Sequence, residues 1–261
     1  MVLSLLIGSS LVGSDHALAA APESAPAALK QNLAQLDAAA SQEDLTTFLQ
    51  YYSPTFANSD GVDRDALEEV LSRFWDRYSD LQYQTELMSW EQTDAGLVAE
   101  VMTTIQGTEV LGDRQFQLQS SFTTQQLWQD NQLVREDILE EENQLTSGQN
   151  PPNLLVRLPQ EVKINQAFNF DVIVEEPLAN DLLLGGFIDE PVNIDKILEP
   201  AEVEVVPLAA GGLFKVGRAP AIRDNRWISA VIIRKGGITM VTRRLRVVEQ
   251  STTSTSADLS S

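Results

Sequence analysis

The sequence predicts an α+β domain, with helices packed on one face of a curved antiparallel sheet, followed by an all-β sandwich. Three observations carry this. Helical periodicity is confined to the stretch before residue 80; four long strand-like segments run from Leu81 to Glu141; beyond residue 150 only short strand-like segments remain, separated by turn signals. The chain has 261 residues, and since domains usually hold about 100–200, two modest domains are expected. A hydrophobic fraction of 43% is enough to build a core in each.

The first element is the apolar run Val2–Gly13, followed by Ala17-Leu18-Ala19 and Ala20-Ala21-Pro22. A short apolar stretch before an A-x-A site has the form of a secretory signal peptide and is too short for a membrane-spanning helix. Residues 1–19 are therefore expected to be a signal peptide cleaved after Ala19, and the protein to be exported to a periplasm, a thylakoid lumen or the extracellular space. No basic residue precedes the run, the first being Lys30, so either the start lies upstream or the signal is atypical. No other stretch is long and apolar enough for a membrane span.

Ala20–Ala28 reads as a linker. Leu29, Leu33 and Leu36, then Leu45, Phe48, Leu49 and Tyr52, recur at helical spacing, with Ser41 and Asp44 placed to cap a second helix that Pro54 closes. Asn58-Ser59-Asp60-Gly61 is a turn. Asp65 and Glu68 form a second capping pattern, opening a helix that carries Leu67, Val70, Leu71, Phe74, Trp75 and Tyr78 on one face. The strands Leu81–Glu91, Gly96–Gln106, Arg114–Gln129 and Gln132–Glu141 follow, joined by Thr93-Asp94-Ala95, Leu111-Gly112-Asp113 and Asp130-Asn131.

Ser147-Gly148-Gln149-Asn150-Pro151-Pro152 is the composition break taken as the domain boundary, giving a first domain at 29–147 and a β-sandwich at 153–249. The strands expected in the second are Leu154–Leu158, Phe168–Glu175, Leu182–Ile188, Val192–Ile197, Val203–Val206, Leu213–Val216, Trp227–Arg234 and Ile238–Val248. Lys235-Gly236-Gly237 joins the last two as a hairpin. The Ser/Thr-rich tail, 250–261, is expected to be disordered.

The chain contains no Cys and a single His, His16, inside the expected signal peptide. Disulfides, thiolate chemistry, Ser-His-Asp and Cys-His nucleophile systems and the usual zinc sites are thereby excluded. The Gly doublets form neither G-x-G-x-x-G nor a phosphate loop, and no cofactor is expected. The net charge is −20, which repels nucleic acid and anionic lipid. The charge is uneven: residues 1–150 carry −18, 151–213 carry −8 and 214–261 carry +6.

The runs Phe48-Leu49-Gln50-Tyr51-Tyr52-Ser53-Pro54-Thr55-Phe56, Asn58-Ser59-Asp60-Gly61, Phe74-Trp75-Asp76-Arg77-Tyr78 and Leu81-Gln82-Tyr83-Gln84-Thr85-Glu86-Leu87 resemble the nuclear transport factor 2-like superfamily, most of all its exported cyanobacterial members. The resemblance covers roughly residues 30–146. It implies a cone-shaped domain, a curved antiparallel sheet wrapped round helices with a pocket at the wide end, and a homodimer through the sheet as one assembly. The superfamily holds isomerases, cyclases and dehydratases beside non-catalytic modules, so fold does not choose among them. Its common His–Asp pair has no counterpart here. The second half resembles immunoglobulin-like sandwiches only in pattern.

The aromatic residues Tyr52, Trp75, Tyr78, Tyr83 and Trp90 are the candidates for lining a pocket for a small apolar ligand, the alternative being ordinary core. Asp60, Asp63, Asp65, Glu68 and Glu69 do not fit a calcium loop and read as caps and dipole partners; no metal site is expected. Glu140-Glu141-Glu142 reads as a solvated strand end. The basic set at the C-terminal end, represented by Arg234, Lys235, Arg244 and Arg246, is the candidate interaction surface. With Val241, Leu245 and Val247 inward, Thr242, Arg244 and Arg246 point outward, toward an acidic partner or the protein's own acidic first half. The function expected is a non-enzymatic binding or protein-interaction module; the alternative is a cofactor-free isomerase or lyase using a buried carboxylate and Tyr.

Overall fold

The computed structural model describes residues 19–178, 181–193, 202–208 and 211–249. The expected signal peptide, apart from Ala19, the C-terminal tail and most of the strand expected at Val192–Ile197 lie outside them. A short 3-10 turn at Pro22–Ser24 precedes α1 (Ala27–Ser41) and α2 (Leu45–Leu49). Asp44 caps α2, accepting from the Thr47 amide at 3.0 Å, while Ser41, expected to share that role, ends α1 and accepts from the Tyr83 amide at 2.9 Å. The helix expected up to Pro54 stops at Leu49, and Tyr52–Asn58 is strand β1. Its parallel pairing with β5 is interrupted between Tyr52 and Ala57, where Pro54 has no N–H to offer the ladder. Helix α3 (Arg64–Arg77) is capped by Asp63, accepting from the Ala66 amide at 2.9 Å, rather than by Asp65.

Strands β2 (Ser79–Thr93), β3 (Gly96–Leu111), β4 (Arg114–Gln129) and β5 (Gln132–Gly148) then form an antiparallel meander. The β4–β5 turn places Asp130 and Asn131 at φ 50° and 63°, the left-handed pair of a two-residue hairpin. The remaining strands are β6 (Leu154–Arg157), β7 (Glu161–Lys163), β8 (Ala167–Val174), β9 (Leu184–Pro191), β10 (Val206–Pro207), β11 (Gly212–Arg218), β12 (Asp224–Arg234) and β13 (Gly237–Val248).

The expected architecture, a cone-shaped α+β domain followed by a distinct sandwich, is corrected by the sheet topology. Among the described residues strands make up 58% and helices 17%, so the structure is sheet-dominated. The second half also does not build a sheet of its own beside the first: β13 pairs with β5, giving the continuous order β10-β9-β12-β13-β5-β4-β3-β2. Among the described residues only β11-β8-β6 form a separate three-stranded sheet.

Two rows of paired residues show how one sheet serves both halves. Tyr83, Ile105, Ser120, Asn143, Thr242, Ser229 and Ile188 are successive partners across β2, β3, β4, β5, β13, β12 and β9, and so share one face. At the β2–β5 end this face meets the helices, burying Leu81, Val101, Ile105, Leu118 and Leu133 against Leu29, Leu33, Leu36, Phe48 and Trp75. The neighbouring row, on the opposite face, reads Gln82, Gln106, Gln119, Gln144, Val241, Ala230 and Phe187. Gln82, Gln106 and Gln119 are exposed, whereas Val241 and Ala230 are buried with Phe168, Phe170 and Val172 of the small sheet. The covered face therefore switches between β5 and β13. Each half has its own hydrophobic core, on opposite sides of a shared sheet.

Candidate functional site

The face that meets the helices carries aromatic rings and a set of polar groups. Phe48 stacks on Tyr52 with centroids 5.1 Å apart and meets Trp75 edge-on at 6.0 Å; Tyr52 in turn meets Phe56 edge-on at 4.8 Å. Trp75 Nε1 donates to the Tyr83 hydroxyl at 3.0 Å. Of the five sequence-predicted aromatics, Tyr52, Trp75 and Tyr83 thus converge on one region. Tyr78 packs on Phe74, 4.7 Å away, beside the Arg77–Glu109 ion pair at 2.8 Å. Trp90 lies on β2 against the N-terminal segment, its Nε1 donating to Ala21 O at 3.2 Å and Ser24 Oγ at 3.1 Å.

Next to the converging rings, pairing of β4 with β5 sets Gln126 opposite Glu136. Gln126 Nε2 donates to Glu136 Oε1 at 3.0 Å, and Trp128 Nε1 donates to Gln126 Oε1 at 3.1 Å. Part of the Glu136 residue still reaches solvent, yet its carboxyl lies deep in the protein. Burial raises its pKa above the usual carboxylate value; Gln126 and the Thr124 hydroxyl offset this in part, and the Asp137 and Asp60 charges push the same way as burial. Burial also pushes the Tyr52 hydroxyl well above its ordinary value, with the Glu136 charge adding to the rise. Burial raises Tyr83 to about 12, the Trp75 hydrogen bond opposing it.

At the junction of the halves, Asp60 is delivered by the β1–α3 turn. Asn58 Oδ1 accepts from the Asp60 and Val62 amides at 2.9 and 2.8 Å, and Gly61 supplies φ 85°. The turn is tied to β5, Ser59 N donating to Glu136 O at 2.9 Å and Ile138 N to Ser59 Oγ at 3.1 Å. Arg244 of β13 reaches Asp60 through Nη1 at 3.0 Å and Nη2 at 2.8 Å, and Glu141 of β5 through Nη2 at 2.8 Å and Nε at 3.1 Å. Asn225 Nδ2 donates to Asp60 at 2.8 Å and Trp227 Nε1 to Glu141 at 3.0 Å. The Arg244 and Asp60 side chains are 1% and 6% exposed. Burial works to lower the guanidinium pKa, but the Glu141 and Asp60 carboxylates more than offset it, and the pKa is raised.

The sequence-predicted basic residues consequently do different things. Val241, Leu245 and Val247 are buried, so the alternation along β13 is as read, and Arg244 points to the other face, where the first half covers it. Arg234 is enclosed with Asp181 at 3.0 Å and Glu176 at 3.7 Å; Arg246 pairs with Glu161 at 3.0 Å; Lys235 is exposed in the β12–β13 turn. Asp63 is a helix cap, and Glu140–Glu142 lie across the junction from the small sheet.

Two cavities adjoin these elements. A cleft of about 550 Å3 is lined by the start of α1 (Pro26, Leu29), the β2–β3 turn and the β4–β5 turn. A recess of about 50 Å3 lies between Glu140–Glu142 and Leu158, Gln160 and Arg243. None of the five predicted aromatics lines either. Glu136 and Gln126 escaped the sequence reading, while Asp60, read as a cap or dipole partner, and Glu141, read as part of a solvated strand end, are instead the enclosed partners of Arg244, with Glu141 inside β5; a carboxylate's partner is set by strand register, which no local pattern announces. No group of three or more metal-ligating side chains occurs among the described residues, and none of their helices is long and apolar enough to cross a membrane.

Residues 149–248 match a family described as a domain of unknown function (DUF8623). No curated protein matches the chain at a significant level. Among solved structures it is similar to a protein provisionally named a scytalone dehydratase from Novosphingobium aromaticivorans DSM 12444 (11% identity, TM-score 0.34, covering 42% of this chain and 80% of that one). It is also similar to a protein of ketosteroid isomerase-like fold from Catenulispora acidiphila DSM 44928, solved with trimethylamine (8%, TM-score 0.31, 41% and 83%). A third is an epoxide hydrolase, LEH-like, of M. tuberculosis (12%, TM-score 0.29, 41% and 80%).

Proposed function

We propose that the chain is an exported, non-enzymatic binding or protein-interaction module. The observation behind this reading is the packing of the helix-facing side of the sheet: Phe48, Tyr52, Phe56 and Trp75 are in mutual ring contact and buried, and the polar groups among them, Trp75 with Tyr83 and Trp128 with Gln126 and Glu136, are bonded to one another. A side-chain-filled interior leaves partners to be met at the surface. The shared sheet and the Arg244 network make the two halves one rigid support for such a surface. Export rests on the apolar run before Ala19 and is tested by N-terminal sequencing of the protein purified from its own host: a chain starting near Ala20 supports it, and one retaining residues 1–19 removes it.

One observation favours a second reading, a cofactor-free isomerase or lyase. Glu136 has a raised pKa and lies close enough to Tyr52 to perturb its hydroxyl; a buried carboxyl beside a phenol is a pair suited to moving a proton next to a carbonyl. Screening enolisable carbonyl compounds for turnover decides between the two. Saturable turnover abolished by Glu136→Gln would replace the module with the enzyme.

A further inference from the structure

The two ends of the fold treat strand edges in opposite ways. The outer edge of β2 is closed: the Tyr83 amide donates to Ser41 Oγ at 2.9 Å, the Thr85 amide to Asp37 Oδ2 at 2.7 Å, and Ala20 exchanges both backbone hydrogen bonds with Trp90 at 2.7 and 3.3 Å. Strand β11, at the edge of the small sheet, has no such cover among the described residues. Val174 N donates to Gly211 O and Ala219 N to Gln166 O. With Leu213↔Val172, Lys215↔Phe170 and Gly217↔Phe168 in between, the odd-numbered residues of β11 spend their N–H and C=O on β8. The backbone groups of Gly212, Phe214, Val216 and Arg218 point the other way, along the free edge.

The side chains on that edge are apolar and basic. Val216 is 78% exposed and Phe214 51%, and Leu155 and Ile173 continue the same face of the sheet. Lys215, Arg218 and Arg223 are exposed in and just after the strand, in a protein whose net charge is −20. Lys215 Nζ lies 4.6 Å over the Phe187 ring, and Asp171 faces Phe214 across the ladder, on the side away from the free edge. An uncovered apolar edge is a template for strand addition, which proteins usually blunt.

We propose that β11 is a docking edge for an extended segment of another protein, one that alternates apolar and acidic residues and adds as a fourth strand to β11-β8-β6. Backbone hydrogen bonds to Phe214 and Val216 supply the register, apolar side chains cover the exposed ring and isopropyl group, carboxylates on the other face meet Lys215, and Arg218 and Arg223 add positive charge at the end of the strand. A second copy of the chain fits worse: antiparallel self-pairing about the middle of the strand sets Lys215 against its own copy and brings two basic edges together. The inference rests on the interaction-module reading and names its surface. Turnover dependent on Glu136 would remove that reading while leaving the edge to be judged by its own test.

The test is selection of a random seven-residue phage-displayed library on the immobilised full chain. Expected are peptides alternating apolar with Asp or Glu, which bind at least tenfold more weakly to Val216→Pro, because that change deletes an outward N–H the β8 ladder does not use. Val216→Glu, which keeps the backbone donor, should weaken them similarly through charge, and thermal midpoints establish that both variants fold. In the complex, the Phe214 and Val216 amides should exchange more slowly with deuterium. The proposal is overturned by the absence of enrichment, by basic or non-alternating peptides, by peptides indifferent to both variants, or by a wild-type dimer that Val216→Glu dissociates.

Discussion

Arg244 and Asp60 are 184 positions apart in the sequence and 2.8 Å apart in the fold. Their contact joins the turn after β1 to the last strand, and Glu141 completes it from β5, the strand that β13 extends. A charge triad at this place has a structural consequence. The covered face of the sheet switches between β5 and β13, so at that seam neither hydrophobic core spans both halves. Hydrogen bonds, the ladder and this network hold the seam instead.

Replacing Arg244 is therefore expected to cost more than an ordinary surface substitution. Arg244→Met leaves Asp60 and Glu141 enclosed without a cation, and breaking a buried pair from one side costs about 3–5 kcal/mol. Urea denaturation should show the midpoint falling accordingly. A triple variant, Arg244→Met with Asp60→Asn and Glu141→Gln, should recover part of the loss, since no uncompensated carboxylate remains. A loss below about 1 kcal/mol in the single variant, the range of exposed pairs, would contradict the enclosed network.

Glu136 gives a pH dependence of definite sign. Its folded-state pKa is raised, so the stability linked to its proton is full below the unfolded carboxylate value and is lost as pH rises through the raised folded value. Glu136→Gln keeps an oxygen for Gln126 Nε2 and removes the charge. The variant should melt above the wild type at neutral pH, with the difference closing as pH drops below about 4, where a free carboxylate is protonated. A difference independent of pH would show that the carboxyl is ordinary.

These two sites mark where the sequence stopped being legible. The meander β2–β5 and its turns could be read because each strand is long, polar on one face and bounded by turn residues such as Asp130-Asn131. The inward alternation of Val241, Leu245 and Val247 could be read for the same reason. The continuation of the sheet from β5 into β13 could not: the outer face changes from Gln144 to Val241 between two strands nearly 90 residues apart, and no local pattern encodes which strands become neighbours. Tyr52–Asn58 failed differently. Its apolar spacing continues that of α1 and α2, and only the pairing with β5 makes it a strand. Aromatic content located the interior, but the polar partners Gln126 and Glu136 come together through register alone.

Within that interior, the Trp75–Tyr83 hydrogen bond supports a measurable prediction. Tyr83→Phe leaves the Trp75 indole N–H without its acceptor, and a buried donor left unpaired costs about 1–3 kcal/mol. Adding Trp75→Phe to Tyr83→Phe removes the donor but opens space beside Phe48, so the double variant should lose more than the single while the two changes remain non-additive. A double-mutant cycle on denaturant midpoints measures the coupling, and a coupling near zero would mean that the hydrogen bond contributes nothing.

The edge of β2 provides the complementary case to β11. Asp37 accepts from both the Thr85 amide at 2.7 Å and the Thr85 hydroxyl at 2.6 Å, so Asp37→Ala frees a strand N–H and removes a charge that faces any incoming strand. Water replaces part of the lost bond, and the expected stability loss is about 1 kcal/mol. The larger expected effect is on association. With the amide and the hydroxyl of Thr85 released and the carboxylate gone, β2 becomes able to pair with a second copy, and sedimentation velocity at rising protein concentration should show a dimer that the wild type does not form through this edge. Asp37→Asn, which retains an acceptor oxygen without the charge, should associate less than Asp37→Ala. If all three proteins sediment alike, the Asp37 carboxylate fixes α1 against the sheet without guarding its edge.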